Sequence, residues 1–75
     1  MTYTMISWRM FNNMKLRSLI DDVREHPFKY NSSDRTLLMR WYRILYTANS
    51  MDSLFKIRMD SLRRMRYLAK QRGFI

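Results

Sequence analysis

Six carboxylates and a single histidine are the side chains of this 75-residue sequence best suited to acid–base chemistry or metal binding. Asp21, Asp22 and Glu25 lie close enough in sequence to gather a metal ion, but an unpaired acidic cluster on one helix turn is more typical of solvated surface. His26 precedes Pro27 at an expected helix end, where a cation suits the helix dipole. Without cysteine there is no thiolate zinc site, and one glycine cannot build a phosphate-binding loop. We therefore expect no catalytic residue, no metal site and no enzyme.

The cations are the more informative side chains. The formal net charge is +9, and arginine accounts for eleven of the fifteen basic residues. Such a charge attracts nucleic acid, an anionic membrane surface or an acidic protein. Arginine forms bidentate contacts to phosphate and to carboxylate, so this composition leaves both nucleic acid and an acidic protein open. Lys56, Arg63 and Lys70 are spaced by seven residues and form a candidate polyanion-binding stripe.

Aromatic residues interleaved with these cations add stacking to the nucleic-acid interpretation. Tyr30, Trp41, Tyr42 and Tyr46 are the candidates for contact with bases. Trp41 falls on an apolar helical arc and is expected in the core, whereas Tyr42 and Tyr46 point away from that arc. A ribosomal protein, or a small DNA-binding regulator of phage or viral origin with its third helix in the major groove, would have this composition.

Apolar residues recur at helical spacing in three segments, and this periodicity predicts helices. The first segment begins after Asn12 or Asn13, both good N-caps, and ends before Pro27. The second begins with Ser32 or Ser33 as its cap. The apolar faces are Leu16, Leu19, Ile20 and Val23 in the first helix and Leu37, Leu38, Trp41, Ile44, Leu45 and Ala48 in the second.

The third predicted helix is the longest and spans about residues 51–72. Gly73 fits the position after its end, and Phe74 with Ile75 would supply the apolar contact that accompanies such a cap. Residues 51–58 are echoed by residues 59–66, and both copies begin Met-Asp-Ser-Leu. We interpret this echo as helix composition. The apolar face of this helix comprises Leu54, Ile57, Leu62, Met65, Leu68 and Ala69.

These elements predict an all-α fold, a small three-helix bundle with a long basic C-terminal helix. The bundle would occupy residues 13–75, and residues 1–12 would be an N-terminal extension. Ile6, Trp8 and Met10 alternate with Ser7 and Arg9, which also permits a short strand there. No apolar run approaches the length of about 20 residues that a membrane span needs, so we expect no transmembrane segment.

The order of features resembles the LYR-motif family of small basic mitochondrial proteins. These proteins carry Leu-Tyr-Arg and an apolar pair on the first of three helices, and a phenylalanine late in the second. In this sequence residues 15–20, Lys-Leu-Arg-Ser-Leu-Ile, occupy the motif, with Arg17 as its arginine, and Ile44 or Leu45 stands at the phenylalanine position. Lys15 and Leu16 replace the usual leucine and tyrosine. Residues 41–45, Trp-Tyr-Arg-Ile-Leu, match the motif letters more closely but leave too little chain for two further helices.

The resemblance implies a non-catalytic adaptor, an accessory subunit or assembly factor of a mitochondrial multiprotein complex. Residues 1–20 carry three cations and no acid, which is loosely similar to a mitochondrial transit peptide; otherwise we expect an intracellular protein. Family members bind the acidic acyl carrier protein, so the implied ligand is its acyl-phosphopantetheine, and we expect no cofactor of the chain's own. The alternative is an RNA- or DNA-binding protein. The candidate partner-binding residues are Lys15, Arg17, Leu19, Ile20, Arg40 and Arg43.

Overall fold

The computed structural model describes residues 2–48 and 50–75, so Met1 and Asn49 lie outside the described residues. Four helices and two strands make up the described chain, which contradicts the expected all-α three-helix bundle. A short 3-10 turn follows the second helix. The elements are β1 (Tyr3–Ser7), α1 (Trp8–Asn13), α2 (Leu16–Glu25), the 3-10 turn (Pro27–Lys29), α3 (Ser32–Tyr46), β2 (Leu54–Arg58) and α4 (Met59–Gln71).

The two strands pair antiparallel although some fifty residues of chain separate them. Thr4 lies opposite Ile57 and Ile6 lies opposite Phe55. The inward-facing Ile6 and Ile57 are buried, whereas Met5 on the other face is exposed, as the two-residue period of a strand requires. The segment that we expected to be an N-terminal extension, residues 1–12, therefore contains β1 and most of α1 and contributes to the core.

The expected third helix begins eight residues later than the sequence indicates. Residues 54–58 form β2, and α4 starts at Met59. Backbone hydrogen bonds fix both strand-to-helix junctions. The Met59 N–H donates to the Thr2 carbonyl (2.9 Å), and the Arg9 N–H donates to the Met51 carbonyl (3.3 Å). Pairing with β1 thus overrides the helical periodicity of this segment.

The core is built around α2, which packs against both α3 and α4. All four residues of its predicted apolar stripe are fully buried, so this part of the sequence interpretation is confirmed. From α3 and α4, the predicted core residues Leu38, Trp41, Leu45, Leu62, Met65, Leu68 and Ala69 are also buried.

The helix ends follow local chemistry. α2 ends at Glu25, shortly before Pro27, as predicted. The N-cap of α3 is Asn31 rather than a serine, and its side-chain oxygen accepts the Asp34 N–H at 2.8 Å. At the end of α4, Gly73 adopts φ +76° and the Phe74 N–H donates to the Ala69 carbonyl at 2.8 Å, the hydrogen bond of a Schellman cap. The predicted role of Gly73 is confirmed.

One ion pair joins the first turn of α3 to α4. Arg64 donates from Nε and Nη2 to the two carboxylate oxygens of Asp34, at 2.9 and 2.8 Å. Asp34 is buried, and these hydrogen bonds hold the pKa of its carboxyl below the usual range. Within the described chain, no helix is both long and apolar enough to cross a membrane.

Candidate polyanion-binding surface

Ion pairs within the fold occupy almost all of the acidic residues. The pairs are Arg9–Asp52, Arg17–Asp21, Lys29–Asp22, Arg58–Asp60 and Arg64–Asp34. In the described part of the chain no three acidic or histidine side chains come together as a metal-binding group. The remaining basic residues therefore determine the charge of the surface, and they concentrate on α3, β2 and α4.

The exposed side of α3 is basic. Burial of Leu38, Trp41 and Leu45 on the inner side of α3 turns Arg40 and Arg43, each two positions from a buried residue, toward solvent. Arg40 and Arg43 are both exposed, and no carboxylate among residues 2–48 and 50–75 lies within ion-pairing distance of either. They border a shallow hollow of about 330 Å³ together with Arg35, Thr36 and Met39.

Arg40 also lines a second cavity, of about 290 Å³, between α3 and the sheet. Lys56 of β2 contributes to the same cavity, with its Nζ 4.7 Å from the centre of the Tyr3 ring. Arg58 adds a third cation, which donates to both oxygens of Asp60 at 3.1 and 2.7 Å. The lining residues are Tyr3, Leu37, Arg40, Trp41, Lys56, Arg58 and Ser61. Arg40, Arg43 and Lys56 together are called the α3–β2 surface below.

The predicted stripe of Lys56, Arg63 and Lys70 is not one surface. Lys56 lies on β2 and the other two on α4, so their spacing of seven does not continue along a single helix. Arg66, rather than Lys56, lies beside Arg63 and Lys70 on α4. These three residues are called the α4 stripe. With Tyr67 and Ile75 they border a hollow of about 450 Å³.

The motif-like segment at the start of α2 serves the fold. Lys15 has a left-handed backbone (φ 61°) at the junction between α1 and α2. The Arg17 guanidinium lies 5.6 Å from the centre of the Trp8 ring and 3.7 Å from Asp21. Leu19 and Ile20, expected to contact a partner, are fully buried in the core because α3 and α4 cover this face of α2. They offer no surface contact in this conformation.

The predicted stacking tyrosines are also part of the fold. Tyr46 donates to Asp21 at 2.7 Å, and burial raises the pKa of its hydroxyl. Its ring packs at 5.0 Å against Trp8 and at 4.5 Å against Tyr42. Trp41 is buried, as predicted.

Tyr30 ties the segment after α2 back to that helix. Its hydroxyl donates to Asp22 at 2.5 Å. The pKa of the Tyr30 phenol is raised, mainly by burial and next by this hydrogen bond. Tyr30 is buried, and the guanidinium of Arg72 lies 3.9 Å from the centre of its ring, so a base cannot stack on it.

Two exposed tyrosines that were not among the predicted stacking residues lie next to the basic surfaces. Tyr3 is 46% exposed and lies beside Lys56, and Tyr67 is 51% exposed between the cations of the α4 stripe.

Comparison with protein-family models, curated proteins and solved structures gives no significant match for this chain. The resemblance to the LYR-motif family is neither supported nor refuted by these comparisons and stays a prediction.

Proposed function

We propose that this protein is a non-catalytic nucleic-acid-binding protein that holds the phosphate backbone on the α3–β2 surface. The observation that carries the proposal is the convergence of Arg40 and Lys56, from two separate elements, on one cavity. The described chain places no carboxylate within ion-pairing distance of either side chain. Their charge is thus available to an external anion.

A nucleic-acid backbone suits this surface better than an acidic protein does. Thr36, Arg40 and Arg43 are the exposed residues of α3 beside the two cavities, whereas protein interfaces usually centre on buried apolar and aromatic anchors. Counterion release from a polyphosphate gives each such cation a favourable contribution without any apolar contact. Tyr3 adds an exposed aromatic side chain beside Lys56.

The hypothesis that the protein is an adaptor that binds an acyl carrier protein stays a prediction and has less support. An inserted acyl chain would have to displace Leu19 and Ile20 from the core, and Arg17 would have to leave Asp21 and Trp8. A mitochondrial location and membership in a larger complex stay predictions as well, since no structural observation bears on them.

Two charge-matched variants test the proposal. One carries Arg40→Gln, Arg43→Gln and Lys56→Gln, and the other carries Arg63→Gln, Arg66→Gln and Lys70→Gln. Each variant removes three positive charges from an exposed surface, so an effect of net charge alone would weaken nucleic-acid binding equally in both. We expect the α3–β2 variant to bind labelled RNA and DNA oligonucleotides about a hundredfold more weakly at ~0.1 M salt, because three phosphate contacts are lost. The α4 variant should lose only a few-fold.

Fluorescence anisotropy measures the affinities, and circular dichroism checks that both variants keep the fold. All six side chains are exposed, so each substitution should change stability by no more than about 0.5 kcal/mol. Equal losses in the two variants would contradict the assignment to the α3–β2 surface. Binding of an acyl carrier protein but of no oligonucleotide would overturn the proposed function.

A further inference from the structure

We infer that the cavity between α3 and β2 is a binding site for a phosphate monoester, such as the phosphorylated end of a nucleic-acid strand. The inference rests on the proposed function for its source of phosphate and adds a specific ligand class to one part of that surface. It concerns the cavity of about 290 Å³ lined by Arg40, Lys56, Arg58 and Ser61 with the rings of Tyr3 and Trp41.

The donors of this cavity come from separate elements and converge on one space. Arg40 belongs to α3, Lys56 to β2 and Ser61 to α4. A guanidinium, an ammonium and a hydroxyl together suit the tetrahedral oxygens of a phosphate. The other basic hollows differ in construction: that of Arg43 is formed by α3 alone, and that of Arg66 by α4 and Ile75.

Charge distinguishes a monoester from a backbone phosphate in this cavity. The two hydrogen bonds from Arg58 to Asp60 neutralise that arginine. Arg40 and Lys56 remain as two positive charges, and no described carboxylate lines the cavity. A monoester carries about −1.5 to −2 at pH 7, whereas a diester linkage carries about −1, so the monoester matches the cavity charge more closely.

The walls of the cavity strengthen this attraction. Trp41 is buried and Leu37 is half-buried, so one side of the space is apolar protein rather than water. Coulombic attraction increases as the effective dielectric constant falls. A cavity of about 290 Å³ leaves room for the phosphate and part of the attached sugar.

The test compares oligonucleotides of one sequence that carry a 5′-phosphate, a 3′-phosphate or hydroxyls at both ends. We expect at least one phosphorylated form to bind about tenfold more tightly than the hydroxyl form. This ratio should fall to about one in Lys56→Gln and persist in Arg66→Gln, the matched control on α4. It should also shrink from about pH 7 to about pH 5, because the second phosphate pKa is about 6. Equal wild-type affinities for all three would overturn the inference while leaving the proposed function intact.

Titration with adenosine monophosphate, followed by NMR, separates the two proposals. Saturable shifts at the Ser61 amide and the Arg40 Nε–H would support the monoester site. The same shifts without binding of any oligonucleotide would assign the site to a small phosphate monoester and overturn the nucleic-acid function. Shifts spread over Arg63 and Lys70 instead would contradict the assignment of the site to this cavity.

Discussion

Lys15 stores backbone strain at the junction between α1 and α2. Among the described residues it is the one non-glycine with a positive φ, at 61°. A left-handed conformation costs an L-residue about 1 kcal/mol and costs glycine almost nothing, although glycine loses more entropy on folding. We expect Lys15→Gly to raise the free energy of unfolding by about 0.5 kcal/mol in urea titrations. Lys15→Ala removes the same charge without relieving the strain, and equal stability of the two variants would contradict this account.

Asp34 makes stability depend on acid pH. Its carboxyl pKa is lowered in the folded chain by the hydrogen bonds from Arg64, and an unfolded aspartate has a pKa of about 3.9. The pair therefore stabilises the fold fully above about pH 5, and this contribution disappears as pH falls through the lowered pKa. We expect Asp34→Asn to cost about 1–2 kcal/mol near pH 7 and much less near pH 2.

Denaturant unfolding across this pH range checks the prediction, with Asp52→Asn as the control. Asp52 also pairs with an arginine, Arg9, but both side chains of this pair are mostly exposed. Exposed pairs contribute little, so the control should change stability by less than about 0.5 kcal/mol at any pH. A pH-independent cost of Asp34→Asn would show that the ionised carboxylate is not the stabilising group.

The two Met-Asp-Ser-Leu copies lie in different elements. Leu54 begins β2 and is 58% exposed, whereas Leu62 lies in α4 and is 7% exposed. We expect Leu62→Ala to cost about 2–4 kcal/mol and Leu54→Ala less than about 0.5 kcal/mol, measured by denaturant unfolding. Similar large costs at both positions would indicate the continuous helix over residues 51–72 that the sequence pattern predicts.

Helices that are stabilised by their own apolar stripes could be predicted from the sequence. The stripe of α2, the core position of Trp41 and the cap at Gly73 all follow from local spacing. The alternation near the N-terminus permitted a short strand, but the pairing of β1 with β2 could not be predicted. The two strands are joined by no short hairpin turn, and each becomes a strand only through the other. The sequence Met-Asp-Ser-Leu leads into β2 at residues 51–54 and begins α4 at residues 59–62. This local sequence therefore carries no signal for the distant pairing of β1 with β2.

The basic residues of the candidate surface could be found from charge, but their grouping could not. The sequence placed Arg40 with Lys15 and Arg17, and Lys56 with Arg63 and Lys70. The fold brings Arg40 and Lys56 together because β2 pairs with β1 beside α3. A long-range strand pair decides which cations are neighbours. Neither the spacing of seven, which grouped Lys56 with Arg63, nor the family resemblance, which grouped Arg40 with Arg17, carries information about that pair.

The net charge of +9 attracts any polyanion weakly, so the salt dependence of binding is the measurement that separates phosphate contacts on the α3–β2 surface from this general attraction. The slope of log K against log salt reports the number of phosphate contacts, at about 0.7–0.9 per contact. We predict that Arg40→Gln, Arg43→Gln and Lys56→Gln together make the slope shallower by about two, while the charge-matched α4 variant keeps the wild-type slope. An unchanged slope for the α3–β2 variant, or an equal change in the α4 variant, would contradict the account.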